Sequence, residues 1–236
     1  AYDKEEVISN LNLKIEAGEI FALVGESGAG KSTLARLLAR LYDPDQGEVR
    51  ISGRNIKDFS FEFLRRKIAV VPQDVYLFST TVMENIRYAN PDAEQEEVKR
   101  ICKMINADQF IEKMPQGYQT QVGENGVKLS GGQKQLLSFA RAMLVDPEIL
   151  ILDEATSSVD LYTEKLIQDA MDELLAGRTV LMIAHRFATV KKSGRIAVMD
   201  NGKIDAVGSH QELIAGNEIY KKLTENQLLQ TINEVE

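Results

Sequence analysis

The sequence predicts an α/β protein with a mostly parallel sheet, a small antiparallel β part and an inserted helical lobe. Short apolar strands alternate with amphipathic helices near both ends of the chain, which is the pattern of a parallel sheet. Residues 73 to about 129 instead predict short helices, because turn signals at 90–91 and 115–117 interrupt them. We therefore expect a core lobe of about 1–72 and 146–236 and a helical lobe of about 74–145.

The first third of the chain contains each kind of predicted element. Apolar and polar residues alternate over 7–15 and 47–52, as in half-exposed antiparallel strands. Residues 20–24 and 68–71 are continuous apolar runs, typical of buried strands. Residues 32–41 place leucines at helical spacing, so they predict an amphipathic helix.

The rest of the chain predicts helices first and then strands and helices in alternation. The predicted helices are 81–88, 93–105, 107–114, 130–144 and 161–175, with two more from about Gln211 and Ile219. The predicted strands are 149–152, 179–184, 196–199 and 203–207. Asn201-Gly202 indicates a type I′ hairpin between the last two strands, because both central positions of that turn need a positive φ.

Composition disfavours some classes of function. The 28 Lys and Arg residues against 36 Asp and Glu residues give a net charge of −8, which disfavours binding a polyanion by bulk electrostatics. Cys102 is the one cysteine, so we expect a packed helix residue in a reducing compartment. The apolar runs are shorter than the roughly 20 residues that span a bilayer. Because the chain starts at Ala1 without Met or a signal peptide, we expect a soluble piece of a longer polypeptide.

Residues 25–32 form a phosphate-binding motif, G-x-x-x-x-G-K-[S/T], between a predicted strand and a predicted helix. Its glycines let backbone N–H groups converge on phosphate oxygens, and the helix N-terminus adds positive potential. Lys31 can reach the β- and γ-phosphates, and the Ser32 hydroxyl can ligate Mg²⁺. The residues that we expect to bind ATP here are Gly25, Glu26, Ser27, Gly28, Ala29, Gly30, Lys31, Ser32 and Thr33.

Residues 149–154 are an apolar strand that ends in two carboxylates. In α/β folds, ligands bind at the carboxyl ends of the strands. Nucleotide hydrolysis needs a metal ligand and a separate base. We therefore expect Asp153 to hold Mg²⁺ through water and Glu154 to polarise the attacking water.

Residues 129–133, Leu-Ser-Gly-Gly-Gln, resemble the signature of the ABC ATPases, and other landmarks follow in that family's order. The resemblance covers essentially the whole chain and implies the RecA-like P-loop NTPase fold. It implies that Tyr2 stacks on adenine, that Asp160 belongs to the D-loop, and that His185 contacts the γ-phosphate. It also makes Gln73 a sensor of Mg²⁺ and of the membrane domain. The implied catalytic residues are Glu154, His185 and Gln73, and the implied metal ligands are Ser32, Gln73 and Asp153.

The signature also has a physical explanation of its own. Ser130 is a natural N-cap for the predicted helix, and Gly131 and Gly132 expose N–H groups at its positive end. This end lies far along the chain from the phosphate loop. We therefore expect Ser130, Gly131, Gly132 and Gln133 to contact ATP that is held by a second copy.

Two segments resemble ABC exporters: residues 73–91, and residues 120–126, where exporters typically have T-E-V-G-E-R-G and this chain departs at Gln121 and Asn125. Gly194 is a further departure, in place of the usual Asp. The resemblance implies an exporter nucleotide-binding domain at the cytoplasmic face of a membrane. Its partners would be a fused or separate transmembrane domain and a second nucleotide-binding domain, identical or not.

Two other functions remain open at this stage. One is a soluble ABC ATPase that acts on nucleic acid, which the net acidity and the lack of a long coiled-coil insertion after Gln73 disfavour. The other is a regulatory ATP-binding module with little turnover, which the presence of Glu154 disfavours.

Overall fold

A computed structural model of the chain describes residues 7–124, 126–153, 161–184 and 190–233. The chain divides into two compact units. Unit 1 is drawn from Ala1–Arg65, Ile149–Glu154 and Arg178–Glu236, and unit 2 from Arg66–Glu148 and Ala155–Gly177. The two lobes predicted from the sequence stay a prediction, and these units have different boundaries.

Strands and helices alternate along the chain, with a helical stretch in the middle. The strands are β1 (Ile20–Val24), β2 (Arg50–Ile51), β3 (Arg54–Asn55), β4 (Ile68–Val71), β5 (Ile149–Asp153), β6 (Thr179–Ile183), β7 (Arg195–Asp200) and β8 (Lys203–Gly208). The helices are α1 (Lys31–Leu38), α2 (Phe61–Lys67), α3 (Val82–Arg87), α4 (Gln95–Met104), α5 (Asp108–Ile111), α6 (Gly131–Val145), α7 (Leu161–Leu175), α8 (His210–Gly216) and α9 (Glu218–Asn233). None of the helices in the described ranges is long and apolar enough to span a membrane.

The sheet of unit 1 carries β5, β6, β1, β7 and β8 side by side in that order. The first four strands are parallel, and β8 pairs with β7 in an antiparallel hairpin. Side chains of β1, β5, β6 and β7 are buried on both faces, which is why these strands are continuous apolar runs in the sequence. The parallel order brings the carboxyl ends of β1 and β5 to one edge.

Strand register fixes the positions of two site residues at this edge. Leu23 in β1 is paired with Ile183 in β6, and Ile183 is paired with Asp153 in β5. The end of β5 is therefore level with the end of β1, two strands away. The phosphate loop and Asp153 are neighbours because of the order of the strands.

Unit 2 is built around α6. This helix packs against α3, α4, α7 and β4, and it buries Leu136, Leu137 and Phe139. A helix that contacts elements on several sides needs apolar residues around most of its circumference. The helix that carries the signature is therefore the core of its unit.

The structure differs from the sequence prediction in three places. Residues 7–15 form no strand, and Asn10 has a left-handed φ of 49° that interrupts an extended chain. The predicted strand 47–52 shortens to β2, which pairs with β3 through the Ser52-Gly53 turn. Helix α2 was not predicted, because among its side chains only Leu64 is buried and the segment lacks a clear helical apolar face.

Candidate functional site

The phosphate loop joins β1 to α1 through two left-handed glycines. Gly28 has a φ of 83°, and Gly30, the N-cap of α1, has a φ of 100°. Non-glycine residues adopt such angles at a cost. No side chain caps α1, and its first turn contains no acidic residue. The first N–H groups of the helix thus keep their capacity to bind an anion.

Lys31 lies inside this loop and bonds to it. Its side chain is 6% exposed, and Nζ donates to the carbonyl oxygens of Gly25 and Glu26, at 2.8 Å each. Burial lowers the pKa of Lys31, and the charge of Asp153 acts in the opposite direction. An ammonium has three N–H donors, and among the described residues Lys31 uses two of them to bond to the loop, so a phosphate could take the third.

Asp153 ends β5 with an unsatisfied oxygen. Oδ1 is buried and accepts no hydrogen bond from the part of the chain that the structure describes. A buried carboxylate oxygen is costly unless it is paired, so Asp153 is suited to hold a metal ion or a water. The position of Asp153 beside Lys31 fits a carboxylate that takes part in holding a metal–phosphate group.

Most of the remaining residues of the motif are exposed. Glu26, Ser27, Gly28 and Ser32 are exposed, Thr33 is partly buried, and Ala29 is buried. The Ser32 hydroxyl is thus accessible from solvent at the first turn of α1. The structure places all nine residues of the predicted phosphate site in one loop and helix start.

The signature begins α6 with a complete capping box. The Gln133 amide N–H donates to Ser130 Oγ at 3.3 Å, and the Ser130 amide N–H donates to Gln133 Oε1 at 3.0 Å. Gly131 is exposed and Gly132 is buried, and the first turn contains no acidic residue. Gln133 is therefore engaged in the cap, while the Ser130 hydroxyl proton and the N–H groups of Gly131 and Gly132 are the donors suited to an anion.

The two exporter-like segments come together in unit 2. Thr81 and Gln121 form an antiparallel bridge, and the amide N–H of Val122 donates to the carbonyl of Thr80 at 2.9 Å. A Cβ on Gly123 would lie 2.9 Å from the carbonyl oxygen of Phe78, so the close approach requires glycine. The pairing explains why both segments carry the same family resemblance.

An aromatic surface covers this pairing. Tyr76 is 63% exposed and Tyr88 is 64% exposed, and Phe78 contacts both rings, at centroid distances of 5.2 and 4.3 Å. A cavity of about 250 Å³ opens beside them. Its lining residues are Phe78, Thr80, Glu84, Arg87, Tyr88 and Pro91. Clustered exposed aromatics beside a cavity are typical of a protein–protein contact.

Comparison with known proteins decides the family. The sequence profile of ABC transporters matches residues 8–157. The chain belongs to the ABC transporter family. It is 49% identical over 224 residues to ABC transporter B family member 4 of Dictyostelium discoideum, covering 95% of this chain and 29% of that protein. It is 52% identical over 217 residues to a Staphylococcus aureus protein that is provisionally described as a multidrug export ATP-binding/permease protein, covering 92% of this chain and 38% of the relative.

A solved structure places the chain more closely within that family. It is the structure of a bacterial Atm1-family ABC exporter with ATP bound, which this chain matches with a TM-score of 0.88 and 41% identity. The match covers 96% of this chain and 40% of the exporter. The chain is thus an ATP-binding domain of the exporter type, and it spans well under half the length of these relatives. The predicted family and fold class are confirmed.

A buried polar network in this ABC domain was not predicted from the sequence. Arg141 of α6 donates to the backbone oxygens of Asn85 and Tyr76 and to Asn85 Oδ1, at 2.7–2.8 Å. Fully buried Asn85 also bonds to the N–H and carbonyl of Phe78. A charged residue inside the apolar stretch of α6 was the signal that could have revealed it. The network fixes the aromatic surface to the signature helix.

Several predicted site residues of this ABC domain lie in unit 2 or outside the described residues. Gln73 is exposed at a bend two residues after β4, in unit 2. Tyr2, Asn125, Glu154, Asp160 and His185 lie outside the described residues. Their roles stay predictions. Cys102 is fully buried in α4, as expected for a packed residue.

Proposed function

We propose that this chain binds and hydrolyses ATP, and that an ATP-sandwiched dimer of such domains powers export of a substrate across a membrane. The observation that carries the proposal is the phosphate loop, with Lys31 held inside it and the unsatisfied Asp153 oxygen beside it. The loop supplies N–H donors and a cation for the phosphates, and Asp153 supplies a carboxylate for a metal. The Staphylococcus aureus relative is provisionally described as a multidrug export ATP-binding/permease protein, and the solved relative is an ABC exporter with ATP bound.

Mg²⁺ is the metal that fits this site. Within unit 1, Ser32 and Asp153 offer oxygen atoms, which Mg²⁺ prefers, and this ion usually keeps waters and phosphate oxygens as further ligands. The role of Gln73 as a metal ligand stays a prediction from the family resemblance. The described residues contain no group of three or more His, Cys, Asp or Glu that could hold a metal ion. When bound, Mg²⁺ neutralises charge on the β- and γ-phosphates.

We assign the hydrolysis of ATP to residues that were predicted from the sequence. Glu154 follows Asp153 and would orient and polarise the attacking water, while His185 would contact the γ-phosphate. Tyr2 would stack on adenine, and Asp160 would lie in the D-loop at the dimer contact. The capped N-terminus of α6 gives the second half of the composite site, since its N–H groups suit a phosphate held by the partner domain.

The aromatic surface of unit 2 is proposed as the contact for the transmembrane domain. Tyr76, Phe78 and Tyr88 present apolar area around a cavity that a helix end of a membrane domain could fill. The Staphylococcus aureus relative carries a permease in its description. The domain would then act at the cytoplasmic face of a membrane, attached to a fused or separate transmembrane domain. The nucleic-acid and regulatory alternatives have no observation that favours them.

Binding and turnover in two variants test the proposal. Lys31→Ala should weaken ATP binding, because a cation that contacts phosphate is lost. His185→Ala should leave binding nearly unchanged and lower the turnover number, because its proposed contact acts in the chemical step. Titration calorimetry measures affinity, and phosphate release measures turnover. Equal losses of affinity in both variants would contradict the role of His185, and an unmodified chain without ATP affinity would contradict the function.

A further inference from the structure

The turn between β7 and β8 touches the phosphate loop directly. Gly202 is buried, and its amide N–H donates to the carbonyl oxygen of Ala29 at 3.1 Å. From the sequence, Asn201-Gly202 was predicted only to close the hairpin between β7 and β8. A hydrogen bond from its backbone to the middle of the loop makes it a support for the loop.

Met199, at the end of β7, sets the path of the loop at two glycines. The pairing of β7 with β8 is irregular between Val198 and Met199, and such irregularities re-aim side chains beside functional sites. A Cβ on Gly25 would lie 2.2 Å from the Met199 carbonyl oxygen, and a Cβ on Gly30 would lie 2.9 Å from Met199 Cε. The backbone of β7 thus requires glycine at position 25, whereas at Gly30 the contact is with the flexible end of the Met199 side chain.

The same turn holds the segment that leads to the predicted adenine contact. The amide N–H of Ser9 donates to the Gly202 carbonyl at 3.1 Å. A Cβ on Gly202 would lie 2.3 Å from the Val7 carbonyl oxygen, so this packing also requires glycine. Tyr2 lies upstream of Val7 in the sequence. One turn therefore contacts both the phosphate loop and residues 7–9, which follow the predicted adenine residue in the sequence.

We infer that Met199 and Gly202 are positioning residues for ATP, which hold the phosphate loop and the segment 7–9 in register with each other. The inference rests on the proposed function, because it assumes that ATP occupies the loop. Met199 and Gly202 act through Gly25, Ala29, Gly30 and Val7 rather than by touching the nucleotide.

The chain offers a matched control for a substitution at Gly202. Asn201-Gly202 and Ser52-Gly53 are both hairpin turns with left-handed residues, with φ of 76° at Gly202 and 79° at Gly53. A Cβ on Gly53 meets no atom within 4 Å. Gly202→Ala and Gly53→Ala therefore introduce the same backbone strain, and only Gly202→Ala pushes against segment 7–9. Differences between the variants isolate the positioning effect.

The expected result is a loss of ATP affinity in one variant only. Gly202→Ala should weaken ATP binding roughly tenfold, the scale of one lost backbone hydrogen bond, and Gly53→Ala should change it by less than about twofold. Calorimetric titration gives the affinities, and thermal unfolding shows that both variants are folded. Equal changes in affinity would overturn the inference.

A measurement on the unmodified chain keeps the inference testable if Gly202→Ala fails to fold. In an ATP titration followed by amide NMR, the Gly202 resonance should shift with the same dissociation constant as the phosphate-loop amides, while the Gly53 resonance should stay in place. If the Gly202 resonance does not shift while the resonances of the loop amides do, the inference is overturned but the proposed function is not. A chain whose loop amides do not respond would contradict the proposed function, and with it the inference.

Discussion

Arg141 is a residue whose role depends wholly on its surroundings. Its guanidinium donates to two backbone carbonyls and one side-chain oxygen, and burial lowers its pKa below the ordinary value. A partly buried cation is stabilised where such acceptors are present. The fork of donors in arginine matches several acceptors at once, which lysine cannot do.

Replacing Arg141 should therefore be costly to stability. Arg141→Met should lower the free energy of unfolding by roughly 3 kcal/mol, because the carbonyls and Asn85 lose charge-assisted hydrogen bonds. Lys134→Met removes another partly exposed cation of the same helix and should change this free energy by less than about 0.5 kcal/mol. Urea unfolding measures both. Similar small effects in the two variants would contradict a structural role for the network.

Cys102 allows a prediction about pH. Burial raises the pKa of its thiol from 9.0 to about 12, against a smaller opposite effect of a hydrogen bond with Tyr118. Between pH 9.0 and about 12, the thiol stays protonated in the folded state, whereas the thiol of the unfolded chain ionises near pH 9.0. Its contribution to stability is thus complete below pH 9.0 and is lost as the pH rises to about 12.

The reactivity of the Cys102 thiol tests whether it is buried and protonated in the folded chain. At pH 8, a thiol reagent that absorbs on reaction should not modify the folded chain, and it should modify the chain rapidly in concentrated urea. The Cys102→Ala variant serves as the blank for both conditions. Fast modification of the folded chain at pH 8 would mean that the thiol is accessible.

Two helices begin in the same way but have different proposed roles. Ser130 caps α6 and Ser209 caps α8, each in a capping box with the residue three positions later. Such a cap stabilises a helix start by about 1 kcal/mol. The local chemistry is shared, so any difference between the two helices comes from what their N-termini contact.

Alanine substitutions at Ser130 and Ser209 distinguish an effect on stability from an effect on ATP turnover. Ser130→Ala and Ser209→Ala should each lower the free energy of unfolding by about 1 kcal/mol. Only Ser130→Ala should lower ATP turnover, because its hydroxyl and helix end are proposed to contact the partner's nucleotide. Urea unfolding and phosphate release at saturating ATP measure these effects. If both variants lost turnover equally, the loss would reflect helix stability and the signature role would be wrong.

The two helix starts that are proposed to bind the phosphates of ATP belong to different units. The phosphate loop and α1 belong to unit 1, and the signature and α6 belong to unit 2. Each unit thus supplies half of a composite site in the proposed dimer. Dimerisation then depends on nucleotide, because the phosphates are what the two halves share.

A hydrolysis-deficient variant should show this dependence. Glu154→Gln removes water activation and keeps the groups that bind ATP, so the variant should form a dimer with ATP and Mg²⁺ and be a monomer without them. Light scattering measures the mass. The double variant with Lys31→Ala is the control, and it should dimerise only at higher ATP concentrations. A Glu154→Gln chain that stays monomeric at high protein and ATP concentrations would contradict the sandwich.

The sequence by itself determined the features that depend on neighbouring residues. The strand–loop–helix at Gly25–Ser32 and the capping box at Ser130 and Gln133 involve residues within one turn of each other. Backbone sterics and short-range hydrogen bonds set such features, so they could be predicted from spacing. The same holds for most helices and strands, since their apolar periodicity is local. Segment 7–15 is an exception, because its alternation of apolar and polar residues predicted a strand and the structure has none there.

Tertiary structure decided which distant residues meet. The order β5, β6, β1 brought Asp153 level with the phosphate loop, and chain contacts across 56 positions joined Arg141 to Asn85. The same kind of long-range contact placed Met199 and Gly202 against the loop. Such contacts depend on strand order and packing, which no local pattern encodes, so the support around the motif appeared only in the folded chain.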